Sequence, residues 1–373
     1  MTDRPLVLLA AGGTGGHLFP AEALAVALRA RGLRVALATD ARVGALAGSF
    51  PADEVVAIPS ATPSGRSPLR MAGAALVLGG GTWTALGAIR RLQPAIVVGF
   101  GGYPTVPPIL AASLARVPTL IHEQNGVMGR ANRLLARFAT AIATGFADVK
   151  AIPARAGRVV HTGNPVRPAV LAAATTPYPP LGEGAPLRLL AFGGSQGARV
   201  MSEVVPAAIE LLPRELLPRL VVTQQAREED LARVRALYAR LGVAHEAEAF
   251  FKDLPHRIAA SHLVVARSGA STVAELAVIG RPSILVPLPG SLDQDQAANA
   301  ASLQRIGAAT VITQDGFTPK RLAAEIFARF QEPQTLTRAA EAAKSAGITD
   351  AAERLAACVF DVAGLPVENE ILP

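Results

Sequence analysis

Three glycine-rich segments each follow a short apolar run, an arrangement that brings the backbone close to a phosphate or a sugar. They are GGTGGH (12–17), GFGGYPT (99–105) and GGSQGA (193–198). Glycine has no side chain to keep a ligand away, and the unpaired N–H groups where a helix begins favour negative charge. The predicted contacts are Gly12, Gly13, Thr14, Gly15, Gly16, Gly101, Gly102, Tyr103, Ser195 and Gln196.

Two familiar phosphate-binding motifs do not fit these loops. The dinucleotide pattern G-x-G-x-x-G fails because its third glycine, counted from Gly13, falls on Leu18, and the second loop fails at Ser195 or Gln196. Asp40 does resemble the ribose-binding acid of that pattern. The Walker pattern is absent. NAD binding therefore stays only as an alternative.

His17 is the candidate for proton chemistry, because imidazole accepts a proton near neutral pH. It follows Gly15 and Gly16 where a helix is expected to begin. The sequence predicts that His17 acts as a catalytic base or positions an acceptor, without deciding which. The alternative is a histidine that only caps or packs the helix.

The loops are placed by alternating strand-like and helix-like segments. The first half has a strand at 6–10, a helix at 21–31 and a strand at 34–39, and the second half restarts with a strand at 187–192. This alternation predicts two α/β, doubly wound parallel sheets of Rossmann type, with ligand in a cleft at the carboxyl ends of the strands. The expected domains are 1–163 and 164–340. A last helix and tail, 341–373, is expected to pack back on the first domain.

Composition narrows the class of partner. The chain has 373 residues, 50% hydrophobic and 17% charged, so it is globular. Residues 1–160 hold 16 Lys+Arg and 7 Asp+Glu, a net charge of +9, whereas the remainder has 20 and 22, or −2. A basic half indicates an anionic partner. Nucleic acid is disfavoured because aromatic residues make up only 4% and no nucleic-acid motif is present.

No metal or other cofactor is expected. The single cysteine, Cys358, provides neither a disulfide nor a cysteine cluster. Asp293 and Asp295 form a D-x-D string, a pattern that can hold a divalent ion on a diphosphate. Short acidic strings arise often by chance, and we therefore interpret this one as accidental.

The glycine loops, HEQN (122–125), GNPVRP (163–168) and R-S-G-A-x-T-V-x-E (267–275) occur together and in order. In this combination the chain resembles the MurG family of peripheral glycosyltransferases, from about Leu6 to about Asn299. The resemblance implies a GT-B fold and inverting transfer of N-acetylglucosamine from UDP-N-acetylglucosamine to the 4-hydroxyl of lipid-linked N-acetylmuramoyl-pentapeptide. The lipid would bind the first domain and the nucleotide sugar mainly the second.

The same resemblance implies roles for single residues. Glu275 would bind the ribose hydroxyls, although Thr272 and Glu275 also fit a helix capping box. Asn125 and Gln296 would contact sugar, the backbone at Phe251 would bind uracil, and Arg167 would neutralise phosphate. Asp295 stands where the family often has a second glutamine, which leaves its contact open.

An apolar stretch in the first half predicts membrane docking. Leu76, Leu78 and Trp83 lie between basic residues, Arg70 on one side and Arg90 and Arg91 on the other. Gly79, Gly80 and Gly81 argue against a spanning helix. We expect a peripheral protein on the cytoplasmic face of the plasma membrane, bound to anionic lipid and in contact with other cell-wall or division proteins. The alternative is that these apolar residues form the core.

Two other functions fit the sequence. A UDP-N-acetylglucosamine 2-epimerase would share the fold but isomerise the sugar without transferring it. A non-catalytic UDP-sugar or NAD-binding regulator would bind ligand without turnover. The loops at 12–17 and 99–105 favour the transferase, because they provide an acceptor side that a simple binder lacks.

Overall fold

A computed structural model describes residues 4–12, 15–40, 50–62, 68–182, 184–194, 197–291 and 294–366, with backbone only at 68–70. The chain divides into two compact units. The first comprises residues 1–167 and 349–373, and the second comprises 168–348. Each unit is an α/β layer structure built on one parallel sheet.

The first unit has a seven-stranded parallel sheet in the order β3-β2-β1-β4-β5-β6-β7. Its strands are β1 (Leu6–Ala10), β2 (Arg34–Thr39), β3 (Glu54–Ala57), β4 (Ile96–Gly99), β5 (Thr119–Glu123), β6 (Ala141–Thr144) and β7 (Arg158–His161). Its helices begin with α1 (Gly15–Ala30), α2 (Pro68–Leu92), α3 (Val106–Leu114) and α4 (Arg130–Leu135). Strands β1, β4, β5 and β6 are buried along their whole length, as expected for a parallel sheet covered on both faces.

The second unit has a six-stranded parallel sheet in the order β10-β9-β8-β11-β12-β13. Its strands are β8 (Leu187–Phe192), β9 (Leu220–Gln225), β10 (Ala244–Glu248), β11 (Leu263–Ala266), β12 (Ser283–Leu285) and β13 (Ala309–Val311). Its helices are α5 (Pro168–Ala173), α6 (Arg199–Glu210), α7 (Leu231–Leu241), α8 (Leu254–Ala260), α9 (Ala270–Ile279), α10 (Asp295–Arg305), α11 (Pro319–Gln331) and α12 (Pro333–Ser345).

The last helix, α13 (Ala351–Ala363), belongs to the first unit. It packs against α1, and Leu355, Val359 and Phe360 join the apolar core on that face of the sheet. Residues 341–345 still belong to α12 of the second unit. The segment that returns to the first unit therefore starts later than residue 341.

Strand order reverses next to the first strand of each sheet. In the first unit the chain leaves β1 toward β2 and later returns on the other side as β4, and in the second unit β8 lies between β9 and β11 in the same way. Loops that leave such neighbouring strands in opposite directions open a crevice at the carboxyl end of the sheet, where ligands bind in open α/β folds.

Helix α2 is long, with 25 residues. By length and composition alone, residues 71–92 would suffice to cross a membrane, with a mean hydropathy of 1.4 and 33% of the apolar window buried. In the fold the helix packs against α3, and Ala85 and Ile89 lie in the core of the first unit. One face of α2 is thus packed against the core of the first unit.

Candidate functional site

His17 lies against the two glycine loops at the strand reversal of the first unit. A methyl group at Gly102 would lie 3.3 Å from the imidazole ring, and one at Gly12 would lie 3.7 Å from it. Gly101 and Gly102 have φ of +82° and +74°, which residues with side chains rarely adopt. Glycine is required here both by conformation and by contact with His17. The half-buried imidazole is therefore held at the crevice.

Arg167 reaches the first turns of α1, where His17 also lies. Its guanidinium lies 4.0 Å from the centre of the Phe19 ring, a cation–π contact. Burial raises the pKa of Glu22, and the charge of Arg167 opposes that shift. The half-buried Arg167 is thus a cation held beside α1.

His122 and Glu123 form a buried polar network at the end of β5. Nε2 of His122 lies 3.1 Å from the Gly163 carbonyl oxygen and therefore donates to it, and Nδ1 accepts from the Gln124 side chain at 3.1 Å. Burial lowers the pKa of His122 to about 4. The imidazole is therefore neutral at pH 7, with its proton on Nε2.

Glu123 holds the loop that follows β5. Its carboxylate accepts the backbone N–H of Asn125 at 2.9 Å and of Gly129 at 2.9 Å, together with the side-chain amides of Asn125 and Asn132. Burial is the main influence on this carboxyl and raises its pKa, while these donors act in the opposite direction. The HEQN segment is largely a device that fixes a loop.

Asn164 connects this loop to the segment that leaves the first unit. Its side-chain amide donates to the Gln124 carbonyl oxygen at 2.9 Å, and Asn164 is buried. A methyl group at Gly145 would lie 2.1 Å from Asn164 Oδ1, so only glycine fits at 145. The HEQN and GNPVRP segments, distant in sequence, thus form one unit of structure.

The second unit has a cavity of about 760 Å³ at its own strand reversal. The loop after β8, the start of α6 and the loop after β11 surround it. Its lining residues include Gly193, Gly194, Gly197, Arg267, Gly269, Thr272, Leu288 and Gln296. This volume suits a nucleotide-sized ligand.

Two side chains organise the walls of that cavity. Arg267 is buried and donates to the carbonyl oxygens of Val286 and Pro287 at 3.1 and 3.2 Å, and burial lowers its pKa. Gln296 accepts the backbone N–H of Leu288 through its side-chain oxygen at 3.0 Å. Because that oxygen is engaged, the amide nitrogen is the other group that Gln296 offers.

Glu275 is not part of a capping box. Helix α9 begins at Ala270 with Gly269 as its N-cap, and no side chain caps it. Thr272 lies inside the helix and lines the cavity, and Glu275 lies one turn further along, largely buried. The capping alternative is therefore wrong, while the ribose contact stays a prediction.

Phe251 contributes mainly packing through its side chain. The ring is buried, and the Arg257 guanidinium lies 4.2 Å from its centre.

Asp295 begins α10 and accepts the backbone N–H of Gln296 at 2.7 Å. Gly13, Thr14, Ser195, Gln196 and Asp293 lie outside the described residues. Within the part of the chain that is described, no group of three or more His, Cys, Asp or Glu side chains is arranged to hold a metal.

Sequence reasoning missed the residues that hold the loops. His122, Glu123, Asn132, Asn164 and Arg267 each contact backbone from a buried position. The available signal was a charged residue at the carboxyl end of a buried strand, as at Glu123, or directly after one, as at Arg267. Such a residue must find partners, because burying an unpaired charge is costly.

Comparisons with known proteins agree with this architecture. Residues 7–144 match the glycosyltransferase family 28 N-terminal domain, and residues 188–355 match the family 28 C-terminal domain. The UDP-N-acetylglucosamine--N-acetylmuramyl-(pentapeptide) pyrophosphoryl-undecaprenol N-acetylglucosamine transferase of Methylobacterium sp. (strain 4-46) is 69% identical over 362 residues, covering 96% of this chain and 97% of the relative.

Solved structures show the same fold. The crystal structure of Acinetobacter baumannii MurG is 30% identical, with a TM-score of 0.76, covering 96% of this chain and 99% of that one. The UDP-GlcNAc 2-epimerase from Neisseria meningitidis, bound to UDP-GlcNAc, is 13% identical with a TM-score of 0.67, covering 96% and 100%. At that identity the likeness is one of fold alone. The predicted GT-B fold of two Rossmann-like domains is confirmed.

We expect His122 to make the protein less stable in acid. The unfolded histidine binds a proton near pH 6.5 and the folded one only near pH 4. As pH falls from 6.5 toward 4, protonation therefore favours the unfolded state by up to about 1.4 kcal/mol per pH unit. His122→Gln keeps a donor for the Gly163 carbonyl oxygen and does not titrate.

The measurement is urea unfolding at pH 7 and pH 5 for both proteins. The wild type should lose more stability between these pH values than His122→Gln does. Equal losses would show that His122 is not the neutral, buried group described above.

Proposed function

Because the chain belongs to glycosyltransferase family 28, we propose that it transfers N-acetylglucosamine from UDP-N-acetylglucosamine to the 4-hydroxyl of lipid-linked N-acetylmuramoyl-pentapeptide. The observation that carries this proposal is the 69% identity, over nearly the whole of both chains, to a transferase named for that reaction. The product is a lipid-linked disaccharide for peptidoglycan synthesis.

We assign the acceptor chemistry to the first unit. His17 lies against the loops after β1 and β4. This position supports the proposal that its imidazole takes the proton of the acceptor hydroxyl. The hydroxyl oxygen attacks the anomeric carbon, the bond from that carbon to the β-phosphate oxygen breaks, and its electron pair leaves with UDP. Direct displacement inverts the anomeric configuration.

We assign the nucleotide sugar mainly to the second unit, in the cavity beside β8 and β11. Backbone N–H groups of the glycine loop from Gly193 and the start of α6 suit a diphosphate. Glu275 would accept hydrogen bonds from the ribose hydroxyls, and the Gln296 amide would donate to a sugar hydroxyl. Arg167 is the cation that we propose for the leaving diphosphate.

The epimerase alternative shares the fold, and a non-catalytic UDP-sugar binder would share the cavity. Transfer of labelled N-acetylglucosamine to a lipid-linked muramoyl acceptor distinguishes all three. The proposed function requires a lipid-linked disaccharide. An epimerase would give a sugar epimer without acceptor, and a binder would give neither product.

We expect Gly102→Ala to lower transfer strongly. The substitution adds a methyl group 3.3 Å from His17 and strains a residue with φ of +74°. Strain of this kind costs about 1–3 kcal/mol and displaces the imidazole, so kcat should fall about tenfold or more.

Gly32→Ala is the matched control, measured by steady-state kinetics and thermal unfolding. Gly32 has a similar φ of +79°, but a methyl group there has no atom within 4 Å. It should lose stability to a similar degree and keep its kcat. A Gly102→Ala enzyme with unchanged kcat would contradict the placement of His17.

We expect Glu275→Gln to weaken UDP binding while stability is nearly unchanged. A hydrogen bond to a charged group is worth about 1.5–3 kcal/mol, which corresponds to about a ten- to hundredfold rise in Kd. Because Thr272 is not an N-cap, no capping bond is lost. Calorimetric titration with UDP and a thermal melt measure the two effects.

Glu210→Gln is the control, since Glu210 is an exposed carboxylate of the same unit paired with Arg240. It should bind UDP normally. Unchanged UDP affinity in Glu275→Gln would remove the ribose assignment.

We further propose that the first unit docks on the cytoplasmic face of the plasma membrane through α2. Leu76 and Trp83 are 78% and 74% exposed, and Met71 and Val77 are also exposed. Arg90 is exposed as well, while Arg91 pairs with Glu54 and Arg70 has no described side chain. Apolar groups beside cations suit an anionic bilayer surface.

One residue of this docking face needs correction. Leu78 is only half exposed and packs against the core of the first unit. The reason is helical geometry, since Leu78 lies on the same side of α2 as the buried Ala74, Ala85 and Ile89. The docking face that we propose therefore centres on Leu76 and Trp83, which lie seven residues apart on the opposite side of α2.

We expect the double substitution Leu76→Ser and Trp83→Ser to abolish binding to phosphatidylglycerol vesicles and to raise KM for the lipid acceptor. UDP-sugar affinity and thermal stability should be preserved, because both side chains are exposed. Binding by the wild type should weaken as salt rises. Leu211→Ser, which alters an exposed leucine of the second unit, is the control. Undiminished vesicle binding by the double variant would place the docking face elsewhere.

A further inference from the structure

The second unit has another cavity, at the end of its sheet opposite to the larger cavity of about 760 Å³. This distal cavity measures about 300 Å³, a size suited to a small molecule. It is lined by Ser283 and Ala309, where β12 and β13 begin, and by residues of α11 and α12. The larger cavity is lined by Leu288 and Gln314, which follow the carboxyl ends of the same two strands. The two cavities share no lining residue and are therefore separate.

Ala309 directs backbone groups to the outer edge of the sheet beside the distal cavity. β13 is the last strand of the sheet that the structure describes. Ser283 lies opposite Ala309 in the register and donates its N–H to the Ala308 carbonyl oxygen at 3.2 Å. In a parallel ladder with this bond, Thr310 faces β12, and the N–H and C=O of Ala309 face away from it. Backbone groups at such an edge suit the amide of an extended peptide.

Arg329 of α11 gives the distal cavity a positive charge. Its Nη1 donates to the Glu325 carbonyl oxygen at 2.9 Å and to the Glu325 carboxylate, and its Nη2 donates to Thr310 Oγ1. Arg321 pairs with the same carboxylate, so two guanidinium groups share one negative charge. Within the described part of the chain, Nε–H and the second hydrogen of Nη2 have no acceptor. Arg329 can therefore donate to a carboxylate in the cavity.

Glu332 adds a charge of the opposite sign at the end of α11. It also lines the distal cavity, on the same side as Arg329, because residues three apart on a helix are neighbours. Glu332 is exposed, which places its carboxylate at the open side of the cavity. The lining also includes the apolar side chains of Ala328, Leu336 and Ala339. A ligand that suits this lining carries a carboxylate, an ammonium group and small apolar groups.

We propose that the distal cavity binds a zwitterionic peptide of dipeptide size with small aliphatic side chains. Its carboxylate pairs with Arg329, its ammonium group faces Glu332, and its amide bonds to the backbone of Ala309. A single amino acid carries both charges but has no amide for the strand edge. The inference does not depend on the proposed function, because the distal cavity is separate from the cavity assigned to the nucleotide sugar.

The test is calorimetric titration of the full-length protein with L-alanyl-L-alanine, with and without saturating UDP. The wild type should bind the dipeptide with the same Kd in both titrations. N-acetyl-L-alanyl-L-alanine amide lacks both charges and L-alanine lacks the amide, so each should bind at least tenfold more weakly. Absence of saturable dipeptide binding would overturn the inference. Displacement of the dipeptide by UDP would also overturn it, because the dipeptide would then occupy the larger cavity.

Arg329→Gln should raise the Kd for the dipeptide at least tenfold, because it removes the cation that pairs with the carboxylate. Arg321→Gln is the matched control, since Arg321 pairs with the same Glu325 carboxylate but does not line the distal cavity. It should bind the dipeptide as the wild type does. Equal losses in the two variants would contradict the proposed contact, because the effect would then belong to the ion cluster and not to the cavity.

A third variant leaves the ion cluster intact. Ala339 is half exposed, lies in α12 and lines the distal cavity, and leucine is well tolerated in a helix. Ala339→Leu should fill part of the cavity and raise the Kd at least tenfold, with a melting temperature close to that of the wild type. Ala342→Leu alters a half-exposed alanine of the same helix outside the cavity and is the control. If Ala339→Leu binds the dipeptide as tightly as the wild type does, the dipeptide does not occupy the distal cavity and the inference fails.

Discussion

The reversal of strand order beside β1 and beside β8 is the constraint on which the candidate site of each unit depends. Parallel strands require crossover connections. Where two crossovers leave in opposite directions, the carboxyl ends of the neighbouring strands border an open crevice. The loops that border this crevice have backbone groups that make no hydrogen bond to a neighbouring strand. Glycines let these loops approach a ligand and, at Gly101 and Gly102, let them approach His17.

The loops that border the crevice must also be held in place. In each unit, a buried charged side chain holds a loop by hydrogen bonds to its backbone. In the first unit, Glu123 accepts from backbone and side-chain N–H groups of the loop after β5. In the second, Arg267 donates to the carbonyl oxygens that follow β12. The two residues carry opposite charges but each lies at the end of a buried strand. Both side chains make hydrogen bonds to backbone groups that have no neighbouring strand to bond to.

The sequence located some strands of the two sheets more closely than it located helices and loops. Apolar runs located β1, β2 and β8 to the residue, because buried parallel strands are continuously apolar. Helix α1 begins at Gly15, six residues before the predicted start. Gly15, Gly16 and Pro20 have low helix propensity, and its first turns therefore do not look helical in the sequence. The predicted last helix and tail, 341–373, begins inside α12, which belongs to the second unit, and continues with α13, which belongs to the first.

Site residues divide in the same way. His17 and Arg167 were candidates because their types and motifs suggest chemistry, and their roles stay predictions. The structure puts the Arg167 guanidinium against Phe19 of α1, the helix that contains His17. Glu123 and Asn164 lie in the HEQN and GNPVRP motifs but were given no role. Their partners are backbone groups and, for Glu123, also the side chains of Asn125 and Asn132, which a sequence pattern does not reveal. Leu78 was misplaced because periodicity alone does not say which face of α2 meets the core.

The most direct measurement is single-turnover transfer of radiolabelled N-acetylglucosamine from UDP-N-acetylglucosamine to a lipid-linked muramoyl-pentapeptide, comparing the wild type with His17→Ala. The account predicts a lipid-linked disaccharide of inverted anomeric configuration from the wild type. His17→Ala should be slower by about a hundredfold, the usual contribution of a general base. An isomerised UDP-sugar with no labelled lipid, or a His17→Ala enzyme as fast as the wild type, would contradict it.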